Sequence, residues 1–354
     1  MNFKIFKKKK IIVTGHTGFK GSWLVNWLHH LGADVTGVSL TPEYKNYHFK
    51  YIKKKINIKD IRLDIRNAKK LEKIIFKIKP DFVFHLAAQS IVSISYDKPK
   101  YTFETNVLGT LNLLTSLSKL KKKCVAVIVT SDKCYKNKEI SKGYKENDEL
   151  GGDDFYSSSK ASTELMINSF FKSFIINKNN YLKICTARAG NVVGGGDWSK
   201  DRLVPDCIKK WSSKKFVILR NPRSTRPWQH VLEALNGYLI LAYKLSNNSE
   251  LNGHSFNFSN DNIKNYSVLK FVKELKKNLP NLNWKMKENK KFKETNLLQL
   301  NNKKAKKILN WKNILSIKET ASLVSSWYYN FYTSGNREIN TLSQIKYFMR
   351  LLGR

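Results

Sequence analysis

Apolar residues in the first half of the chain fall into two rhythms. Short apolar segments at 11–13, 34–40, 59–63, 81–88, 125–129 and 184–187 read as strands. Two of them, 11–13 and 125–129, carry no polar alternation, as expected of strands buried on both faces of a parallel sheet. Between them apolar residues recur at helical spacing. Trp23, Leu24, Trp27, Leu28 and Leu31 form one face of a helix that stops at Gly32. A second helix spans 68–78 and ends before Pro80. A third, 98–120, carries the stripe Val107, Leu111, Leu114 and Leu117, and a fourth opens near Phe155. Residues 41–55 are polar and lysine-rich and read as a connection.

This alternation predicts a parallel sheet with helices on both faces over residues 1–190. After the glycine run Gly194, Gly195 and Gly196 the order breaks. Segments 203–211 and 228–245 read as helical, 216–219 and 255–258 as extended, and 268–277 and 317–331 as amphipathic helices. The charge run 287–293 reads as a solvated loop. The expected fold is α/β, a doubly wound parallel sheet with a smaller mixed α/β C-terminal domain for the substrate. The sheet domain is assigned 1–190, with 228–260 returning to it; the smaller domain takes 191–227 and 261–354.

The stretch from Ile11 to Trp23 organises the rest. A strand runs into Gly15, Gly18 and Gly21, spaced G-x-x-G-x-x-G, and then into a helix. Gly15 can adopt a backbone that side chains disfavour, Gly18 lets the chain approach a diphosphate, and Gly21 lets helix and strand pack closely. The amides of the helix start face the anion. His16, Thr17 and Phe19 belong to the same turn. Ser39 ends the second strand where an acidic residue often holds the adenosine ribose, and no arginine for an extra phosphate is evident beside it. Asp64, followed by Ile65, can accept from an adenine amine or cap the next helix. Leu86, Ala87 and Ala88 end the fourth strand with little bulk, leaving room for a cofactor. Gln89 and Asn106 follow as candidate substrate and cofactor contacts.

Composition narrows the class. At 354 residues with 41% hydrophobic and 12% aromatic content, the chain can bury a large core. No apolar run reaches membrane-spanning length, and no signal peptide is read at the basic start. The four cysteines are scattered without a C-x-x-C pair, which argues against zinc, against a disulfide framework and for a reducing cytoplasm. No metal site is expected. The net charge of +38 suggests a nucleic-acid partner, but the excess is mostly lysine spread from Lys7 to Lys346. It reads as a compositional bias, and no nucleic acid or membrane partner is expected.

The chemistry gathers at strand ends. Tyr156 and Lys160 are one turn apart on one helix and share a face. An ammonium beside a phenol favours the phenolate and makes it a usable base. Ser131 ends the fifth strand, followed by Asp132 and Lys133. Arg202 and Arg226 are planar forks that match diphosphate oxygens, in a chain that otherwise prefers lysine. Asn191 follows the sixth strand. Trp228 and His230 complete the candidate substrate set, with packing as the competing role for Trp228.

Five blocks together resemble the extended short-chain dehydrogenase/reductases that modify nucleotide sugars. They are Thr14 to Gly21, Thr130 to Tyr135, Gly151 to Lys160, Ala189 to Trp198 and Thr225 to Val231. Within that family the pattern is similar to the 4,6-dehydratases of the CDP-glucose type. The resemblance implies a Rossmann sheet, NAD as cofactor, CDP-glucose as substrate and a homodimer or dimer of dimers formed through helices 98–120 and 155–174. It implies that Tyr156 takes the proton of the sugar 4-hydroxyl as carbon 4 is oxidised, with Ser131 bonded to the same oxygen. Asp132 then matches the acid that protonates the departing 6-hydroxyl. Lys133 stands where related dTDP- and GDP-sugar dehydratases carry glutamate, and would take the carbon-5 proton, with charge partner of the substrate diphosphate as its competing role. A 4-epimerase shares the turn, Tyr156 and Lys160 but needs no base at carbon 5, so Asp132 and Lys133 separate the two readings. A dehydratase of another nucleotide sugar and a basic nucleic-acid-binding protein are the remaining alternatives.

Overall fold

The predicted apolar runs hydrogen-bond into one sheet. The computed structural model describes residues 3–42, 46–176, 181–260, 266–286, 298–334 and 339–353. Along the chain the strands are β1 (Lys10–Thr14), β2 (Asp34–Ser39), β3 (Lys59–Arg62), β4 (Phe82–His85), β5 (Cys124–Val129), β6 (Leu182–Ala189), β7 (Val192–Val193), β8 (Val217–Leu219), β9 (Gln229–His230), β10 (Ser255–Phe258) and β11 (Trp284–Met286). The main sheet has the order β10-β6-β5-β4-β1-β2-β3, and every pairing in it is parallel. All its strands therefore end on one edge. The order reverses between β1 and β4, and the crevice at such a reversal is where these sheets bind ligands.

The helices are α1 (Phe19–His30), α2 (His48–Ile52), α3 (Ala68–Ile78), α4 (Val92–Asp97), α5 (Pro99–Phe103), α6 (Gly109–Ser118), α7 (Phe155–Phe170), α8 (Leu203–Ser212), α9 (Val231–Asn247), α10 (Val268–Lys276), α11 (Lys303–Leu309), α12 (Ile317–Thr333) and α13 (Thr341–Leu351). Among the described residues none is long and apolar enough to cross a membrane.

Strand periodicity divides the core. Ile11 and Val13 face one side with Trp23, Trp27, Phe84 and Leu235. Ile12 faces the other with Leu71, Ile75, Val83, Leu113 and Ile128. The first cluster runs on without a break into Trp327 and Tyr328 of α12, so the C-terminal helices share it. Trp23 Nε1 also donates to Gly195 O at 2.8 Å, tying the glycine run to α1.

Several elements depart from the sequence expectation. The helix expected over 98–120 is α5, a π-helical turn (Glu104–Leu108) and α6. The Gly109 N–H reaches back five residues to Glu104 O, and Gly109 presses on Ile65, where a Cβ would lie 2.6 Å from Cδ1. The helix expected from 228 starts at Val231, because Gln229 and His230 extend to pair with β7. The connection 41–55 holds α2, whose His48, Phe49 and Ile52 are buried. His48 bridges Ser22 Oγ (2.7 Å) and Thr341 Oγ1 (2.8 Å), joining α1 to α13. The helices α11 and α13 were not expected. The charge run 287–293 lies outside the described residues.

Candidate active site

A cleft of about 1870 Å³ runs along the carboxyl edge of the sheet. Single-ligand pockets are on the order of 300–1,000 Å³, so this one has room for two ligands. The β2 and β3 side of the cleft is lined by Gly15, Thr17, Gly18, Ser39, Asp64 and Ile65, its middle by Ser131, Asp132, Lys133, Tyr156 and Lys160, and its far side by Asn191, Arg202, Arg226 and Trp228.

The glycine turn is built for close approach. Gly15 has φ +73°, and a Cβ there would lie 2.7 Å from Ala87 N. A Cβ on Gly21 would lie 2.1 Å from Gly15 O. Neither position admits a side chain, and the turn stays tight against the end of β4. This backbone, open toward the cleft at Gly18, fits the diphosphate of a dinucleotide at the start of α1. Thr17 Oγ1 and Ser39 Oγ are 2.8 Å apart. An arginine does stand beside Ser39, contrary to expectation: Arg62 is its cross-strand neighbour on β3. Its guanidinium donates to Leu40 O (3.1 Å) and Asp60 Oδ2 (3.0 Å). Asp64 is held by Arg66 at 2.7 Å.

Five side chains converge over the end of β5. Ser131 Oγ donates to Asp132 Oδ1 at 2.9 Å and accepts from Lys133 N–H at 3.3 Å. Asp132 is 3% exposed, and its Oδ2 has no hydrogen-bond partner among the described residues. Lys133 Nζ approaches that oxygen to 3.6 Å. Tyr156 meets Ser131 from α7, and Lys160 Nζ sits 6.0 Å from the centre of the Tyr156 ring. On the far side Arg202 Nη1 is 3.1 Å from Asp197 Oδ2, and Arg226 Nη1 donates to Thr225 O at 3.0 Å. Trp228 stacks on Phe271 at 4.6 Å between ring centres, so one of its faces is spent on packing.

The protein family described as GDP-mannose 4,6 dehydratase matches residues 12–324. The chain belongs to that family. Within this dehydratase family and its neighbours, the chain is 38% identical over 326 residues to the CDP-glucose 4,6-dehydratase of Salmonella typhimurium, covering 90% of each chain. Its fold is similar to that of the epimerase Mth375 of Methanothermobacter thermautotrophicus, with a TM-score of 0.79, 21% identity, and 98% and 96% of the two chains covered. It is also similar to dTDP-glucose 4,6-dehydratase of Bacillus anthracis, solved in complex with NAD, with a TM-score of 0.74, 21% identity, and 90% and 96% covered.

Three expected site residues in this dehydratase-family chain turn away from the cleft. The His16 ring fills the space left by Gly37, whose Cβ would lie 2.3 Å from His16 Cγ. It packs edge-on to Phe49, and its Nε2 is 2.9 Å from Asp60 Oδ1. Burial pushes its pKa down to about 4, so it is neutral. His230 is buried against Trp23 and caps α9, its Nδ1 accepting from Leu232 N–H at 3.3 Å. Asn106 lies under the loop after β4, exchanging hydrogen bonds with the Gln89 backbone (2.8 and 3.1 Å) and donating to Ser159 Oγ (2.8 Å). Gln89 reaches the cleft wall, but its amide is used on Thr102 and Ile91. A hydrophilic residue in a turn points to whichever side offers a cavity, and spacing does not reveal that.

The electrostatics also depart from the simple pairing of tyrosine and lysine. Burial pushes the Tyr156 phenol up to about 12, with Ser131 pulling it back. Burial draws Lys160 down to about 8. Desolvation therefore outweighs mutual stabilisation in the cleft as it stands. Lys20, unremarked in the sequence, lines the same cleft; burial and the charges of Lys160 and Arg202 bring it down to about 7.

Two further features had no sequence signal. Glu164, one turn beyond Lys160, forms a two-point pair with Arg188 of β6 at 2.9 and 2.8 Å. Thr130 and Thr186 donate to the same carboxylate at 2.5 and 2.9 Å. Arg188 also donates to the Tyr135 hydroxyl at 2.6 Å, so the loop carrying Ser131, Asp132 and Lys133 is fastened to α7 and β6. Gly190 lies directly against Asp132.

Proposed function

We propose that the protein is a nucleotide-sugar 4,6-dehydratase that converts CDP-glucose to CDP-4-dehydro-6-deoxyglucose with NAD bound at the glycine turn. The supporting observation is the convergence of Ser131, Asp132, Lys133 and Tyr156 in one cleft. A 4-epimerase needs Tyr156 and Ser131 but has no use for an acid and a base beside them. The 38% identity to a CDP-glucose 4,6-dehydratase supports the same choice.

NAD supplies the hydride acceptor and donor for the sugar. Gly15, Gly18, Gly21, Thr17, Ser39, Asp64 and Ala87 would hold it, with Tyr156 and Lys160 lining the same cleft. Tyr156 takes the proton of the 4-hydroxyl, and Ser131 donates a hydrogen bond to that oxygen. The resulting ketone acidifies the hydrogen on carbon 5. Lys133 takes that proton, and Asp132 gives one to the hydroxyl leaving carbon 6. The two groups stand side by side, 3.6 Å apart. Passing one proton from the Lys133 ammonium to the Asp132 carboxylate turns a charged pair into a neutral acid and a neutral base, with no net change in charge. Arg202, Arg226 and Asn191 hold the diphosphate end.

We also propose a homodimer, or a dimer of two dimers, joined through the helical segments 98–120 and 155–174. Leu108, Phe155, Leu165 and Phe174 are exposed along these segments. Exposed apolar faces of this kind mark association surfaces. A cytoplasmic location is in keeping with four free, buried cysteines.

The deciding experiment offers the purified protein CDP-, dTDP-, UDP- and GDP-hexoses with NAD and follows products by mass and NMR. A 4-keto-6-deoxy product with loss of water is expected from CDP-glucose. A 4-epimer with no mass change would replace this reading with the epimerase one.

A further inference from the structure

Beyond the two arginines the cleft continues between the first turns of α8 and the strand β8. Leu203, Asp206 and Lys210 recur at intervals of three and four, share one face of α8, and all line the cleft. Val217, Leu219 and Arg220 form the opposite wall. Leu203, Val217 and Leu219 give a flat ring apolar contact between these charged groups. The helix axis carries Asp206 about 6 Å past Arg202, away from the phosphate-binding guanidinium.

Asp206 differs from its acidic neighbours. Asp197 is paired with Arg202 at 3.1 Å, and Asp201 accepts from Ser93 Oγ at 2.8 Å. The Asp206 carboxylate makes no hydrogen bond or ion pair with a described residue; Asp201, Lys209, Lys210 and Arg220 act on it only through space. Asp206 is exposed on the cleft wall next to the proposed diphosphate ligands, so its carboxylate oxygens are open to an N–H donor on the ligand. Phosphate oxygens repel it. So does the carbonyl that uracil and thymine carry where cytosine carries its amine.

Resting on the nucleotide-sugar reading above, we infer that Asp206 reads the nucleobase: its carboxylate accepts from the exocyclic amine of cytosine and selects cytidine over uridine and thymidine diphosphate sugars. A uracil in the same slot would leave the carboxylate unpaired against a carbonyl oxygen, and that mismatch supplies the discrimination.

The test measures calorimetric binding of CDP and UDP, which carry no hexose, to the wild-type protein, Asp206→Ala and Asp206→Asn. Thermal melts of all three establish folding, and hexose turnover is measured in parallel. The wild type should bind CDP about ten- to a hundredfold more tightly than UDP. Asp206→Ala should lose most of that ratio, chiefly by weaker CDP binding. Asp206→Asn should gain affinity for UDP, since its amide can donate to the carbonyl. Equal weakening of CDP and UDP in Asp206→Ala would assign the carboxylate to the ribose and overturn the inference. So would a wild type without base preference, or a preference that survives both substitutions. Intact base selection with no hexose dehydrated would sink the dehydratase reading and leave Asp206 in place; dehydration without base selection would do the reverse.

Discussion

Asp132 occupies the space that a side chain at residue 190 would need: a Cβ built on Gly190 would lie 2.2 Å from Asp132 Oδ2. The proposed acid and the glycine after β6 are thus one steric unit, though they are far apart in the chain. Gly190→Ala should push the carboxylate off Ser131 and away from Lys133. Displacing a reacting group by about 1 Å costs on the order of a hundredfold in rate. We expect kcat to fall by about that factor, with nucleotide binding measured by calorimetry little changed. A Gly190→Ala enzyme with wild-type kcat would show that Asp132 has room to spare.

Lys133→Met should separate the two halves of the reaction. In the proposed mechanism oxidation at carbon 4 needs Tyr156 and Ser131, whereas loss of water needs the carbon-5 proton removed. In deuterated water the variant should no longer exchange the carbon-5 hydrogen. Undiminished exchange would remove Lys133 from the role of base.

Tyr156→Phe should lower kcat by about a hundred- to ten-thousandfold, the usual worth of a positioned proton acceptor. KM should stay close to that of the wild type. The phenol must lose its proton to act, and burial holds its pKa above the ordinary value. The rate should therefore rise with pH above neutrality. Measuring kcat/KM across pH for the wild type and Lys160→Met checks this; loss of the lysine charge should move the rise to higher pH.

Glu164 and Arg188 bear on stability. Removing one partner of a buried pair costs about 3–5 kcal/mol, so Glu164→Ala and Arg188→Ala should each lower the unfolding free energy by about that amount in urea titrations. The double variant should cost less than the sum. Burial pushes the Glu164 carboxyl up, but Arg188, Thr130 and Thr186 outweigh it and hold its pKa below the usual value. A carboxylate depressed in the folded state binds fewer protons there than when unfolded. Its contribution is present above the unfolded pKa, about 4.3, and drains away as pH falls through the folded value. The destabilisation measured for Glu164→Ala should accordingly shrink as the titrations move from neutral to acid pH.

How much of this was legible in the chain differs residue by residue. The glycine turn, the apolar strands and the pairing of Tyr156 with Lys160 stand out because each depends on neighbours within one or two turns. The break in the helix after Phe103 did not, since one extra residue in a π-helical turn barely disturbs an apolar stripe. Gln229 and His230 looked like the start of a helix because they are followed by one; a partner strand far away in sequence makes them extended.

The sequence by itself determined the parallel α/β architecture and singled out the glycine turn and the strand-end residues Ser131, Asp132, Lys133, Tyr156 and Lys160 that line the cleft, because period, turn chemistry and helical spacing are local. Only the tertiary structure decided which polar side chains face the cleft. It turned His16, His230 and Asn106 inward, set Arg62 beside Ser39, joined Glu164 to Arg188 and left Asp206 open to a ligand. Those outcomes depend on where cavities and partners fall once distant segments are packed together, and no pattern along the chain encodes a void.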